Sequence, residues 1–125
     1  MKRALFATTV AGLFSMFAAA DAFAASETDW FKISEIRTES TNDTFELMLN
    51  PGVTNNGTND PFNCQASGNI VKFDVYMAGT SATDRDNMLK IAMAAFLAGR
   101  EVRVNLTSSS CSAAGNPQFN EIYVR

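Results

Sequence analysis

Hydrophobic residues in this chain recur at every second position along five segments, whereas one further segment has them at helical spacing. The alternating segments, which predict five strands, are residues 30–38, 44–49, 69–77, 101–106 and 118–125. After the third segment, residues 84–98 are apolar at helical spacing. Ser81 to Asp84 matches a capping box, and Gly99 is placed to end a helix in a left-handed conformation. The sequence therefore predicts one helix between the third and fourth strands.

This order of elements favours a small barrel. Five strands with one helix between the third and fourth strands is the order found in the OB-fold, a five-stranded Greek-key barrel. We therefore predict a mainly β domain with some α+β character and an OB-fold-like barrel. The order alone does not fix which strands pair, so an open α+β sheet remains the alternative.

The N-terminus has the composition of a secretory signal peptide. Lys2 and Arg3 precede an apolar run at 4–20, and Ala22-Phe23-Ala24 forms a small-x-small cleavage site. A membrane anchor is the alternative, but the run is shorter than the roughly 20 residues of a spanning helix. We predict that residues 1–24 are cleaved, and that residues 25–125 form a single domain in the periplasm or outside the cell.

The chain has two cysteines, Cys64 and Cys111. An even number of cysteines in an oxidising compartment predicts a disulfide. By the chain-entropy argument, closing a loop of this length stabilises the fold by about 4 kcal/mol. A reactive thiol is the alternative, and the chain has no histidine to activate one.

Several classes of function are disfavoured by composition. Without histidine, Ser–His and Cys–His nucleophilic systems are excluded, and the commonest ligand of transition metals is missing. No glycine-rich phosphate loop is present. The formal net charge of −3 gives no broad attraction to nucleic acid or to an anionic membrane. We therefore expect no enzymatic activity, cofactor, metal or nucleic-acid partner, and no membrane association after signal cleavage.

Three aromatic residues are candidates for ligand binding: Trp30, Phe62 and Tyr123. Exposed aromatic rings beside Asn and Asp suit a sugar site, because a ring stacks on the apolar face of the sugar and amides bond its hydroxyls. The alternative is that each ring belongs to the core or to a sheet edge.

The helix at 84–98 carries more apolar surface than one side of a small sheet covers. From Ile91 onward it has no polar face, which predicts a homo-oligomer formed through this helix. Alternatively, the loop at 50–68 folds over the helix and Phe62 covers it. That loop is either functional or a disordered connection. In both cases we expect Phe96 to be buried.

The segment from Met88 to Val104 resembles the helix–glycine–strand unit of subtilase cytotoxin B subunits and their typhoid-toxin relatives. The chain is also similar to small secreted bacterial proteins of unknown function. The shared features are Trp30, Cys64, the loop 111–117 and Ile122. The resemblance implies a pentameric OB-fold that binds sialylated glycans, with the helices facing the central axis. The positions that match the sialic-acid ligands lie near Phe31 and Leu106, so the resemblance extends to the fold and not to the sugar site.

Together these features predict an exported, non-enzymatic binding module that resembles a toxin B subunit and binds a glycan. The alternative is a monomeric periplasmic protein that inhibits or assists another protein through residues 50–68.

Overall fold

The computed structural model describes residues 26–39, 44–65, 68–106 and 111–125. The predicted signal peptide, residues 1–24, lies outside the described residues. The described part is mainly β and forms a curled half-barrel sheet with one helix and one disulfide. Its elements in chain order are β1 (Ser26–Glu27), β2 (Phe31–Glu39), β3 (Thr44–Thr54), β4 (Asn69–Val75), α1 (Ala82–Leu97), β5 (Glu101–Leu106), β6 (Gln118–Phe119) and β7 (Glu121–Val124).

The sheet is antiparallel except at one place. β2 pairs with β3, and β3 pairs with β4. β5 pairs with β1, β2 and β7, while β6 runs parallel to β4. The segment 118–124 therefore pairs with β4 at its start and with β5 at its end.

The prediction of five strands was wrong, because the described residues form seven. β1 has only two residues, which is too short for hydrophobic alternation to reveal it. The predicted last strand is divided at Asn120, since Gln118 and Phe119 pair with β4 whereas residues 121–124 pair with β5. Consequently α1 lies between the fourth and fifth strands rather than between the third and fourth.

The predicted loop at 50–68 begins too early, because β3 continues to Thr54. The last two residues of β3, Val53 and Thr54, pair with β4 after a register shift that follows Met48. Gly52 lies so close to the Ile70 carbonyl that a side chain at position 52 would collide with it. Because of this irregularity, Ile70 is buried and Val71 is exposed, although Val71 alternates in step with the buried Phe73 and Val75.

Helix α1 begins at Ala82, two residues before the predicted start. The Ser81 hydroxyl caps it by accepting a hydrogen bond from the Asp84 amide at 3.1 Å. Gly99 has a φ of 63° just beyond the last turn, as predicted. The pairing of β2 with β3 is irregular at one point, where the register shifts between Ile33 and Glu35.

The hydrophobic core lies between the sheet and one face of α1. The helix contributes Met88, Ala92 and Ala95, whose spacing places them on one face. Phe96 lies one position beyond that face and is 42% exposed, so the prediction that it is buried was wrong. The sheet supplies the remaining buried residues: Phe31, Ile33, Phe45, Leu47, Leu49, Val53, Ile70, Phe73, Val75, Val102, Val104, Leu106 and Phe119.

Candidate functional site

Two of the three aromatic residues that the sequence singled out converge on one arginine. The Arg103 guanidinium carbon lies 5.0 Å from the centroid of the Trp30 ring and 5.1 Å from that of the Tyr123 ring. The sheet explains this arrangement: Tyr123 is directly opposite Arg103 across β5 and β7, and Trp30 immediately precedes β2, which pairs with β5. Both distances are within the range of cation–π attraction.

A second arginine extends this arrangement. The Arg125 guanidinium carbon lies 4.6 Å from the centroid of the Trp30 ring. We call Trp30, Arg103, Tyr123 and Arg125 the aromatic–arginine ladder. Both arginines are ion-paired, Arg103 with Glu27 at 2.7 Å and Arg125 with Glu101 at 2.7 Å. These pairs hold the guanidinium groups against the rings and orient the rings.

Tyr123 also makes a polar contact at the end of its ring. Its hydroxyl donates to a Glu121 carboxylate oxygen at 2.6 Å, and the Asn105 amide donates to the same oxygen at 3.1 Å. The bond from Tyr123, followed by that from Asn105, lowers the pKa of the Glu121 carboxyl. The bond to Glu121 raises the pKa of Tyr123. At neutral pH the pair is therefore a carboxylate and a neutral hydroxyl.

Phe62 lies elsewhere, half-buried in the loop after β3. Two buried polar residues organise the described part of this loop. The Asn59 amide donates to Asp29 at 2.9 Å and to the Thr54 carbonyl at 2.8 Å, and its oxygen accepts from the Asp29 amide at 2.8 Å. Asp60 accepts from the backbone amides of Cys64 and Gln65 at 2.8 and 2.9 Å. The interpretation of this segment as a disordered connection is therefore wrong for its described residues.

The predicted disulfide between Cys64 and Cys111 is confirmed. The two Cα atoms lie 5.4 Å apart, within the usual range for a disulfide. The bond joins the loop after β3 to the segment that leads into β6. A hydrogen bond of 3.3 Å from Gln65 to Asn116 reinforces this junction.

A cleft of about 550 Å³ lies between the N-terminal half of α1 and β7. We call it the helix–strand cleft. Glu121 and Tyr123 line it on the strand side, and Asp84 and Asn87 line it on the helix side. The cleft therefore adjoins the aromatic–arginine ladder, and Tyr123 belongs to both.

Sequence reasoning did not identify the polar residues around Tyr123. In β5, Arg103 lies between Val102 and Val104, which face inward. This alternation was the signal in the sequence that Arg103 lies on the outer face of the sheet. Nothing in the sequence marked Asn87 or Asn120 as a site residue, because asparagine is common both in helices and between strands.

The described residues contain no group of three or more acidic, histidine or cysteine side chains arranged to hold a metal ion. No helix in those same ranges combines the length and apolar character needed to cross a membrane. Comparison of the chain with protein-family profiles, with curated proteins and with solved structures found no match.

Proposed function

We propose that this chain is an exported, non-enzymatic binding module that recognises a glycan at the surface around Trp30 and Tyr123. The convergence of these two rings on Arg103 carries the proposal. Ion pairs and cation–π contacts hold the rings in place before a ligand arrives, which reduces the entropy lost on binding. Carboxylate and amide groups adjoin the rings, as a sugar site requires.

We further propose that the sheet is of the OB type. The segment 118–124 acts as one strand that bridges β4 and β5. Counted that way, and with the two-residue β1 set aside, five strands remain and α1 lies between the third and fourth. This count supports the five-stranded, partly open Greek-key barrel that the sequence predicted.

The disulfide supports the proposed location. Disulfides form and persist in oxidising compartments, which include the bacterial periplasm and the extracellular medium. The signal-like composition of residues 1–24 is the second support for export.

A screen of the oxidised protein against a diverse glycan array tests the proposed function. We expect selective retention of one group of glycans, and about tenfold weaker binding after Trp30→Ala, equivalent to about 1.4 kcal/mol. Phe62→Ala is the matched control, because it removes the candidate ring that lies outside the aromatic–arginine ladder. Failure to retain any glycan would contradict the proposal.

The second candidate function is that of a monomeric protein that inhibits or assists another protein through residues 50–68. The loop's buried Asn59 and Asp60 favour it, because they fix the backbone while Pro61 and Asn63 stay exposed. A loop fixed in this way loses less entropy when it binds a partner. Loss of a protein partner on Phe62→Ala, with no glycan bound, would support this second function.

We propose that copies of the chain associate through the outer face of α1. Met93, Phe96 and Leu97 are 49%, 42% and 80% exposed there, and an apolar groove of about 350 Å³ lies beside them. The projecting Leu97 and the apolar groove are two different complementary surfaces, so the leucine of one copy can meet the groove of the next. Such head-to-tail contacts between identical copies generate a ring when the rotation closes. The resemblance to toxin B subunits implies a ring of five.

We expect Ala94→Glu to disperse such an assembly while leaving the monomer folded, because Ala94 is exposed on this helix. Sedimentation or light scattering at micromolar concentration gives the mass. Thr83→Glu is the control, since it adds the same charge at the opposite end of α1. A monomeric mass for the unaltered protein would contradict the proposal.

A further inference from the structure

The helix–strand cleft has the size of a small-ligand site and is lined by many polar side chains. Its volume of about 550 Å³ falls in the range of such sites, roughly 300–1,000 Å³. Its polar lining consists of two carboxylates, two amides and two hydroxyls, contributed by Asp84, Glu121, Asn87, Asn120, Thr80 and Tyr123. Met88, Ile91 and Ile122 add apolar surface.

Two of these polar groups are buried without a hydrogen-bond partner in the part of the chain that the structure describes. Thr80 is 9% exposed, and its hydroxyl oxygen has no partner within the described ranges. The side-chain oxygen of Asn120 is also buried and has no partner among the described residues. Leaving a buried polar atom unpaired costs free energy, so such groups call for a physical explanation. Both residues belong to the wall of the helix–strand cleft, and the two oxygens lie behind the surface that a ligand would contact.

The two carboxylates are already oriented by the protein. The Ser81 hydroxyl donates to one oxygen of Asp84 at 2.6 Å, and the Tyr123 hydroxyl donates to one oxygen of Glu121 at 2.6 Å. The other oxygen of each carboxylate has no hydrogen-bond partner among the described residues, so it is free to accept a bond from a ligand. Such fixed acceptors bind donors with little loss of side-chain entropy.

The charge of the lining restricts the ligand. Asp84 and Glu121 are acidic, and none of the described residues that line the cleft is a lysine or an arginine. A negatively charged ligand inside the cleft would meet two like charges, since the arginines of the aromatic–arginine ladder adjoin the cleft but are not among its described lining residues. A neutral ligand with many hydroxyl groups and an apolar face would match the acceptors, the amides, the Tyr123 ring and the apolar surface together.

We propose that the helix–strand cleft binds a neutral sugar residue of a glycan, and that it discriminates against sialylated glycans. Glu121 and Asn120 on the strand side and Asp84 and Asn87 on the helix side bind the sugar hydroxyls. The Tyr123 ring packs against the apolar face of the sugar. This inference rests on the proposed function and specifies its ligand class and its site.

The test compares neutral and sialylated oligosaccharides on one array, using the oxidised protein and its variants. Neutral glycans are expected to bind, and Asn87→Ala and Glu121→Gln are each expected to weaken that binding about tenfold. Asn69→Ala is the matched control, because it removes an exposed amide outside the cleft and should leave binding unchanged. Unchanged thermal unfolding of Asn87→Ala would show that the variant is folded.

The outcomes separate this inference from the proposed function. Binding confined to sialylated glycans would overturn the inference and leave the proposed function standing. A second result would also overturn the inference and leave the proposed function standing. In it, neutral glycans bind and Trp30→Ala reduces the affinity, but Asn87→Ala and Glu121→Gln leave the affinity unchanged. Absence of binding to any glycan would overturn both.

Discussion

Replacing Phe73 by alanine is expected to lower the free energy of unfolding by about 3–5 kcal/mol. The Phe73 side chain is fully buried in β4, opposite Leu47, and its ring stacks on Phe31 with the centroids 5.3 Å apart. Truncation removes the transfer energy of the ring and leaves a cavity that β-sheet neighbours cannot readily fill. Denaturant-induced unfolding, followed by circular dichroism, measures the loss.

Phe96→Ala is the matched control for this experiment. Phe96 is 42% exposed on the outer face of α1, so in the monomer its loss should cost less than about 1 kcal/mol. Equal losses at the two positions would mean that Phe96 is buried, as the sequence had predicted. The orientation of α1 described above would then be wrong.

Removal of the disulfide is the second large effect. Cys111→Ser is expected to lower stability by about 2–5 kcal/mol, because the bond closes a loop with a sequence separation of 47. The loss arises mainly from the greater freedom of the unfolded chain. It also releases the segment before β6 from the loop that Asp60 organises. Thermal unfolding of the oxidised and reduced protein provides the measurement.

Cys64→Ser supplies the control, because each substitution abolishes the same bond. The two single variants and the double variant should show similar stability. Mass spectrometry of the unreduced protein should show no thiol that can be alkylated. A freely alkylated Cys64 in that sample would contradict the assigned pairing.

The sequence predicted those elements whose signals are local. β5 has the bounds that were predicted, because Val102, Val104 and Leu106 alternate with polar residues and all three are buried. The sequence also predicted the cap at Ser81 and the end of α1 at Gly99, although the helix begins two residues before the predicted start. These features depend on neighbours in the chain, so a single sequence reveals them.

Other features depend on pairing between distant segments and could not be predicted in this way. The orientation of Ile70 and Val71 follows from a register shift that is visible only when β3 and β4 are aligned. Phe96 is exposed because α1 turns Met88, Ala92 and Ala95 towards the sheet, and only the contact with the sheet shows which face of the helix is buried.

In the candidate site, too, single residues could be predicted from local sequence, whereas their arrangement depends on pairing between distant segments. Trp30 and Tyr123 were identified one at a time, as aromatic residues suited to sugar binding. Their convergence requires Arg103, which reaches both rings only because β5 pairs with β7 and with β2. Thr80 and Asn120 became candidates only when the structure showed that a side-chain oxygen of each is buried without a partner among the described residues.

The position of residues 118–124 also bears on the order of folding. The β2–β3 and β3–β4 pairs join consecutive strands, whereas residues 118–124 join β4 and β5 through contacts between segments far apart in the chain. Pairing of that kind is slow, since loop-closure entropy is lost before the contacts compensate for it. Until it forms, β4 and β5 each present an open edge on which another chain can add a strand. The Cys64–Cys111 bond joins the loop after β3 to the segment that leads into β6, so once it has formed, the loop that this pairing must close is shorter.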